Sequence, residues 1–264
     1  MTDEDLGTVT TELVGHVLEI TIDRQAKRNA FTPKMFAEMQ AAYTRLDEED
    51  DLWVGLVKFA GEHTTAGLDL PKFFGDMQRT EASDEKTNEV VDIFALKRRC
   101  SKPIVMAVQG ITFTIGLEMM LAADISIAAD DCRFCQMEPK RGLAVFAGGN
   151  FRQVERAGWG NAMYHLLRAD EFGAERALQL GYVQEVLPAG EHVERARVIA
   201  QEIAANAPLA IQYIKKANLA YIQHGEEAAI AMIPEMRRVT SSSEDAKEGM
   251  ASFVERRAAV FTGK

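Results

Sequence analysis

The chain has 264 residues, of which 47% are apolar and 27% charged, a composition that excludes a mainly disordered polymer. A formal net charge of −10 excludes nucleic-acid binding through a general positive field and leaves anion binding to local basic patches. Cys100, Cys132 and Cys135, an odd set without a disulfide framework, suit a reducing, cytoplasmic compartment.

The acidic start MTDEDLGTVT predicts no secretory signal. HVLEITID (His16–Asp23) alternates β-branched residues and reads as a strand. A helix follows, with Thr32 as N-cap, Pro33 at its first position, and Met35, Phe36, Met39, Tyr43 and Leu46 at helical spacing. LWVGLVKFA (Leu52–Ala60) and KPIVMAVQG (Lys102–Gly110) read as further strands, each leading through a loop into helical sequence. That order predicts crossover units and a largely parallel sheet. The uncharged run Ile104–Leu117 is shorter than the roughly 20 residues of a membrane span. Beyond Pro188 strand signals stop, and GEHVERARVIAQEIAANA, PLAIQYIKKANLAYIQ and SSEDAKEGMASFVERRAAVF read as helices of an appendage.

Between Ile104 and Ala129 the only charged residues are Glu118 and Asp124. An unpaired buried carboxylate is expensive, so Glu118 has a partner, stays neutral, or does chemistry. Glu138, in FCQMEPKRG, offers a second carboxylate for divided acid and base work, or a helix cap ahead of Pro139. Two loops, Phe59–Leu70 and Gln109–Met120, each run from a strand through small residues into a helix. Side by side, their unpaired N–H groups would form an oxyanion hole, although spacing alone favours ordinary turns. Cys132 and Cys135 have CxxC spacing without a second ligand pair and read as small apolar strand residues. The histidines are scattered, and AGG at Ala147–Gly149 is too short for a phosphate loop.

Taken in order, five stretches resemble the crotonase (enoyl-CoA hydratase/isomerase) superfamily over nearly the whole chain. LEITIDRQAKRNAF is similar to its RPxxxNAL signature, with Gln25 where proline is usual. TTAGLDL resembles FSAGxDL, and VQGITFTIGLEMMLAADISIAA resembles xxGxAxGGGxELALACDxxxA. RFCQMEPKRGLAVFAGGNFR is similar to FGQPExxLGxxPGxGGTQRL, and LRADEFGAERALQLGYVQEVLP to LTGxxxxAxEAxxxGLVxxVxP.

The resemblance implies an α/β fold: a crotonase-like spiral of repeated ββα units with a C-terminal helical trimerisation region. Residues 1–200 would be the core holding the acyl-CoA site and 201–264 the helical region, in a homotrimer or homohexamer. It implies that the N–H groups of Leu68 and Ile115 form the oxyanion hole and that Glu118 and Glu138 are catalytic. Lys27, Arg28, Ala30, Ala66, Asp69, Leu70 and Gly116 would contact the CoA thioester, with Ala66 near the adenine. Arg256, Arg257 and Lys264 would add charge from a neighbouring subunit. The implied reaction is addition of water to a 2-enoyl-CoA, with no metal and no cofactor beyond the coenzyme A of the substrate, and with neither nucleic acid nor membrane as partner. Double-bond isomerisation by a single glutamate, or acyl-CoA binding without catalysis, are the competing readings. The chain departs from the family pattern at Thr114-Ile115-Gly116, which replaces a glycine run, at Pro71, where lysine is common, and at Val145, where proline is usual. Phe113 and Phe146 add bulk that predicts an altered acyl pocket.

Overall fold

The hydrophobic alternation of VLEITID makes β2 (Val17–Asp23), whose odd and even residues enter different apolar clusters. It pairs antiparallel with β1 (Thr8–Val14), an edge strand that is mostly exposed and so lacks the buried alternation by which a strand is read from sequence. The computed structural model describes residues 6–73 and 89–264. Within it, β3 (Val54–Phe59), β4 (Ile104–Val108), β6 (Ile125–Ala129) and β9 (Glu185–Leu187) continue a sheet in the order β1-β2-β3-β4-β6-β9, parallel from β2 onward. A smaller sheet holds β5 (Ile111–Phe113), β7 (Arg133–Cys135) and β8 (Phe172–Gly173), with β5 and β7 parallel.

The helices are α1 (Pro33–Glu48), α2 (Leu70–Phe73), α3 (Ile115–Ala122), α4 (Gly149–Arg168), α5 (Ala174–Gln179), α6 (His192–Ala204), α7 (Pro208–His224), α8 (Glu226–Ser241) and α9 (Glu244–Glu255). Thr32 caps α1 as its sequence predicts, its hydroxyl accepting from the Met35 N–H at 3.3 Å. The repeating unit is a strand in the large sheet, a shorter one in the small sheet, then a helix: β4-β5-α3 and β6-β7-α4. β3 follows the same path, with a single bridge at Thr65 in place of the second strand before α2. This is the expected α/β spiral of ββα units.

Helix α6 departs from the expected appendage. Its Ala196 and Ala200 pack with Val17, Val54, Leu56 and Val105 on the second face of the large sheet, so it is a core layer. A parallel sheet needs both faces covered, and α6 covers the face that α1 and α3 leave open. Glu19, buried on that face, is matched by Arg197 of α6 at 2.6 Å and by Lys58. Beyond α6, the helices α7 and α8 pack on each other, and α9 is clipped by the chain end: Asp245 accepts from the N–H groups of Thr262 and Gly263.

The RNAF turn positions the site. Asn29 is buried with φ 52, a left-handed conformation that asparagine tolerates. Its amide donates to the carbonyls of Ala60 (2.9 Å) and His63 (2.7 Å), and its oxygen accepts from the Arg24 N–H (2.7 Å). Asn29 is thus a structural hub joining β2 to the loop after β3. Asn29→Ala leaves those three buried groups without their partner and should destabilise the fold by roughly 2–4 kcal/mol in urea unfolding; a loss near zero would remove Asn29 from this role.

Candidate active site

The loop after β3 is laced on both sides. On one side Phe31 donates to Gly67 O and accepts from the Asp69 N–H, both at 2.9 Å. On the other, Thr65 donates to Ile111 O at 3.0 Å and accepts from the Phe113 N–H at 3.1 Å. In such a ladder alternate residues turn their N–H groups to opposite sides. Leu68, between the paired 67 and 69, therefore turns its N–H away from Phe31, and that N–H has no acceptor among the described residues. Ile115 opens α3, where first-turn N–H groups lack intrahelical acceptors, and its N–H is likewise unpartnered among the described residues. The Thr65–Thr112 bridge sets both donors the same three steps downstream, in adjacent loops.

Thr114, the N-cap position of α3, has φ 51 and ψ −115. A β-branched residue there is a backbone outlier that costs on the order of 1–3 kcal/mol. Gly116 fits because a Cβ would lie 2.6 Å from Thr65 Cγ2. Its place is packing beneath the loop, and it does not line the cavity described below.

Glu118 lies in the first turns of α3 and is 2% exposed. Its partner is backbone: Oε1 accepts from the N–H of Ala147 at 2.7 Å and of Gly149 at 3.1 Å. Burial pushes this carboxyl above its ordinary range, while those two N–H groups and the charge of Arg152 hold the rise down. The short AGG run is therefore a carboxylate cradle. At Gly149 a Cβ would fall 2.9 Å from Glu118 Cγ and 2.7 Å from Gln136 Nε2, which explains the glycine. Arg152 is buried and donates to the carbonyls of Ala147 (3.2 Å), Phe94 (2.6 Å) and Ala95 (3.3 Å), and burial pulls its pKa down to about 10. A buried arginine four residues past AGG's first glycine is the signal by which this support is readable in sequence.

Glu138 begins a 3₁₀ turn (Glu138–Arg141) and makes no side-chain cap. Its Oε2 is buried with no hydrogen-bond partner among the described residues. Burial, and secondarily the like charge of Glu118, push its pKa up to about 7. Parallel pairing of Phe113 with Cys135 sends both chains off the same end of the small sheet, which brings the glutamates together. Asp124, the other charge in that apolar stretch, is structural: it accepts from the Ile104 N–H and pairs with Lys215 at 2.7 Å.

Both glutamates, Leu68 and Ile115 line one cavity of about 410 Å³ whose walls include Phe36, Phe94, Met137 and Phe146. Leu70 and Ala66 line it as well. Ala66 turns its N–H to Arg28 O at 2.9 Å, so only its carbonyl remains to meet a ligand. Lys27 and Arg28 are exposed, and Arg28 borders a polar cavity of about 440 Å³ with Gln25, Glu62 and His63. Other residues of the expected site have partners within the chain. Asp69 faces the buried Arg24 at 2.8 Å and anchors the loop, and the Ala30 carbonyl likewise accepts from Arg24, at 2.8 Å. Arg257 is held by Glu248 and Glu255 of its own chain. Phe113 packs with Ile111 and Cys135 on the small sheet, in a cluster that backs the cavity residues Ala66 and Met137 without itself lining the cavity. The cysteines of the CxxC run are buried, with Cys132 Sγ on Val108 O and Cys135 Sγ on Ala169 O, so the two thiols serve different partners.

Known proteins resemble this chain along nearly its whole length. The family described as enoyl-CoA hydratase/isomerase matches residues 12–264. The chain is 30% identical to an enoyl-CoA hydratase of Mycobacterium tuberculosis, over 95% of this chain and 94% of that protein. It is 32% identical to carnitinyl-CoA dehydratase of Escherichia coli, over 95% and 96% of the two chains. The crystal structure of a probable enoyl-CoA hydratase/isomerase from Mycobacterium abscessus superposes with a TM-score of 0.92 at 38% identity, covering 97% of this chain and 99% of that one. The protein belongs to the enoyl-CoA hydratase/isomerase family, the crotonase superfamily.

Proposed function

We propose that this protein adds water to 2-enoyl-CoA thioesters, with Glu118 and Glu138 as an acid–base pair and the N–H groups of Leu68 and Ile115 as the oxyanion hole. The observation that carries the reading is the convergence on one apolar cavity of a buried and a half-buried carboxylate and of two N–H groups without acceptors among the described residues. Relatives named as a hydratase and as a dehydratase carry names for the two directions of such a reaction.

The environments divide the roles. Glu118 is held by two N–H groups beside Arg152, which favours its carboxylate and suits it to take a proton from water attacking C3. Glu138, with a pKa near 7, retains its proton in a large fraction of molecules at neutral pH and delivers it to C2. As water bonds to C3, the double-bond electrons move toward the thioester oxygen, where the two N–H groups meet the developing charge. The enolate then takes the proton of Glu138 at C2. Proton exchange between the glutamates restores the starting state. The nucleotide end of the coenzyme is assigned to the polar cavity at Arg28, with Lys27 beside it. Three buried thiols suit the proposed cytoplasmic setting, and among the described residues no helix is long and apolar enough to cross a membrane.

Glu118→Gln and Glu138→Gln should each lower kcat on crotonyl-CoA by about 10²-fold or more, followed as loss of the enoyl absorbance. The double variant should lose much less than the product of the two, because both residues serve one transition state. Near-normal turnover in both single variants would overturn the assignment. If only one replacement silences 3-enoyl-CoA conversion and hydration is absent throughout, the protein is an isomerase.

The raised pKa of Glu138 also sets a stability trend. Folding favours its neutral form, so its contribution is fully present below the ordinary value of 4.5 and is lost as pH rises through about 7. The thermal midpoint of the wild type should fall more between pH 5 and pH 8 than that of Glu138→Gln; parallel curves would contradict the raised pKa.

Helices α7 to α9 support a trimer or a pair of trimers, because Phe253 (85% exposed) and Val254 (79%) join Ile214, Ile222 and Ile230 as uncovered apolar side chains. Sedimentation at micromolar concentration should give three or six times the protomer mass. A folded monomer would refute the assembly.

A further inference from the structure

The threonine at the start of α3 is out of place as a matter of backbone conformation, and its side chain meets the opposite loop. Thr114 directly precedes Ile115, and Gly67 directly precedes Leu68, so the two residues flank the two unpartnered N–H groups. A Cβ on Gly67 would fall 2.5 Å from Thr114 Oγ1, whereas the threonine Cβ and Cγ2 are both 3.7 Å from that point. The hydroxyl, and not the methyl, is thus the part of the side chain turned toward the 67–68 peptide. Gly67, at φ 112, leaves the room that the hydroxyl occupies. Thr114 lines the cavity with Glu118 and Glu138, and its Oγ1 neither caps α3 nor makes another hydrogen bond among the described residues. A hydroxyl in this position has one proton to donate and two lone pairs, all unused by the protein.

We propose that the Thr114 hydroxyl is a third donor to the thioester oxygen, a side-chain catalytic residue added to the two backbone N–H groups. It rests on the oxyanion hole proposed above, since it places the hydroxyl between the same two donors. The enolate oxygen can accept several hydrogen bonds, and a donor preorganised beside it strengthens as charge develops. The chemistry also explains why a strained residue persists at a position that glycine would occupy without strain.

The test separates enolate stabilisation from ground-state binding. Acetoacetyl-CoA, whose C2–H is acidic, reports enolate through its ultraviolet absorbance when bound. Butanoyl-CoA, which cannot become a conjugated enolate, reports thioester affinity by calorimetry. Thr114→Val keeps the branched shape and removes the donor, Thr114→Ala removes it with less bulk, and Thr114→Ser restores it. In Val and Ala variants with wild-type circular dichroism, the bound enolate fraction and the kcat on crotonyl-CoA should fall by about 10- to 10²-fold, at or below the loss typical for one oxyanion donor. Butanoyl-CoA affinity should change less than about threefold, and Ser should recover most of the enolate signal. If the valine variant does not fold, the alanine and serine pair decides. Wild-type enolate fraction in the folded variants lacking the hydroxyl would overturn the role of Thr114 while leaving the backbone hole standing. If the wild type itself binds butanoyl-CoA and yet produces no excess enolate, the oxyanion-hole reading fails and the third donor fails with it.

Discussion

The segment from Thr64 to Asp69 is held between two backbones at once. Phe31 holds it from one side and the start of the small sheet from the other, and the two bridges lie three residues apart along it. Such lacing fixes which way the paired peptides face, and it turns the N–H of Leu68, a residue of the cavity wall, away from Phe31. The Asn29 amide holds the residues that lead into this segment, the Asn29 backbone carbonyl accepts from the Thr65 hydroxyl, and the Arg24–Asp69 pair braces the segment's end. Without that bracing, an N–H aimed at one oxygen atom would be one of many conformations of a short loop.

Burial does the remaining electrostatic work. A glutamate in an apolar helix is expensive when charged, and the spiral answers with the N–H groups of Ala147 and Gly149 and with Arg152. Glu138 receives no comparable support at Oε2 and so retains its proton to higher pH. Two carboxylates of one kind are thereby made different by their surroundings. The difference supports the division of acid and base roles proposed for the pair.

The reading of AGG shows how local pattern misleads. As a phosphate loop it is too short, and in the fold its N–H groups meet a carboxylate of the chain itself. Asp69 shows the converse: a charged residue inside a ligand-binding motif that is occupied by a buried arginine. Phe113, judged by bulk alone, lines the acyl pocket; in the fold it packs in the small-sheet cluster behind the lining residues Ala66 and Met137. Helix α6 continues the helical C-terminal sequence without a break in pattern, and only the bare second face of the sheet makes it part of the core.

Much was legible in the residues themselves. Alternation in Val17–Asp23, the Thr32-Pro33 start of α1, the parallel strands, and the isolated Glu118 all follow from local preferences and from the expense of burying charge. The motif order gave the family, because five stretches in sequence constrain far more than any one. β1 escaped, since an exposed edge strand has no buried face to write into its sequence. What tertiary structure alone decided was direction. The parallel register of β5 and β7 brings Glu118 and Glu138 to one end of the small sheet. The bridges at Phe31 and Thr65 turn Leu68 inward, and the space above Gly67 receives the Thr114 hydroxyl. A sequence names the groups that can donate or accept a proton; which way they point depends on backbones that meet only after the chain has folded.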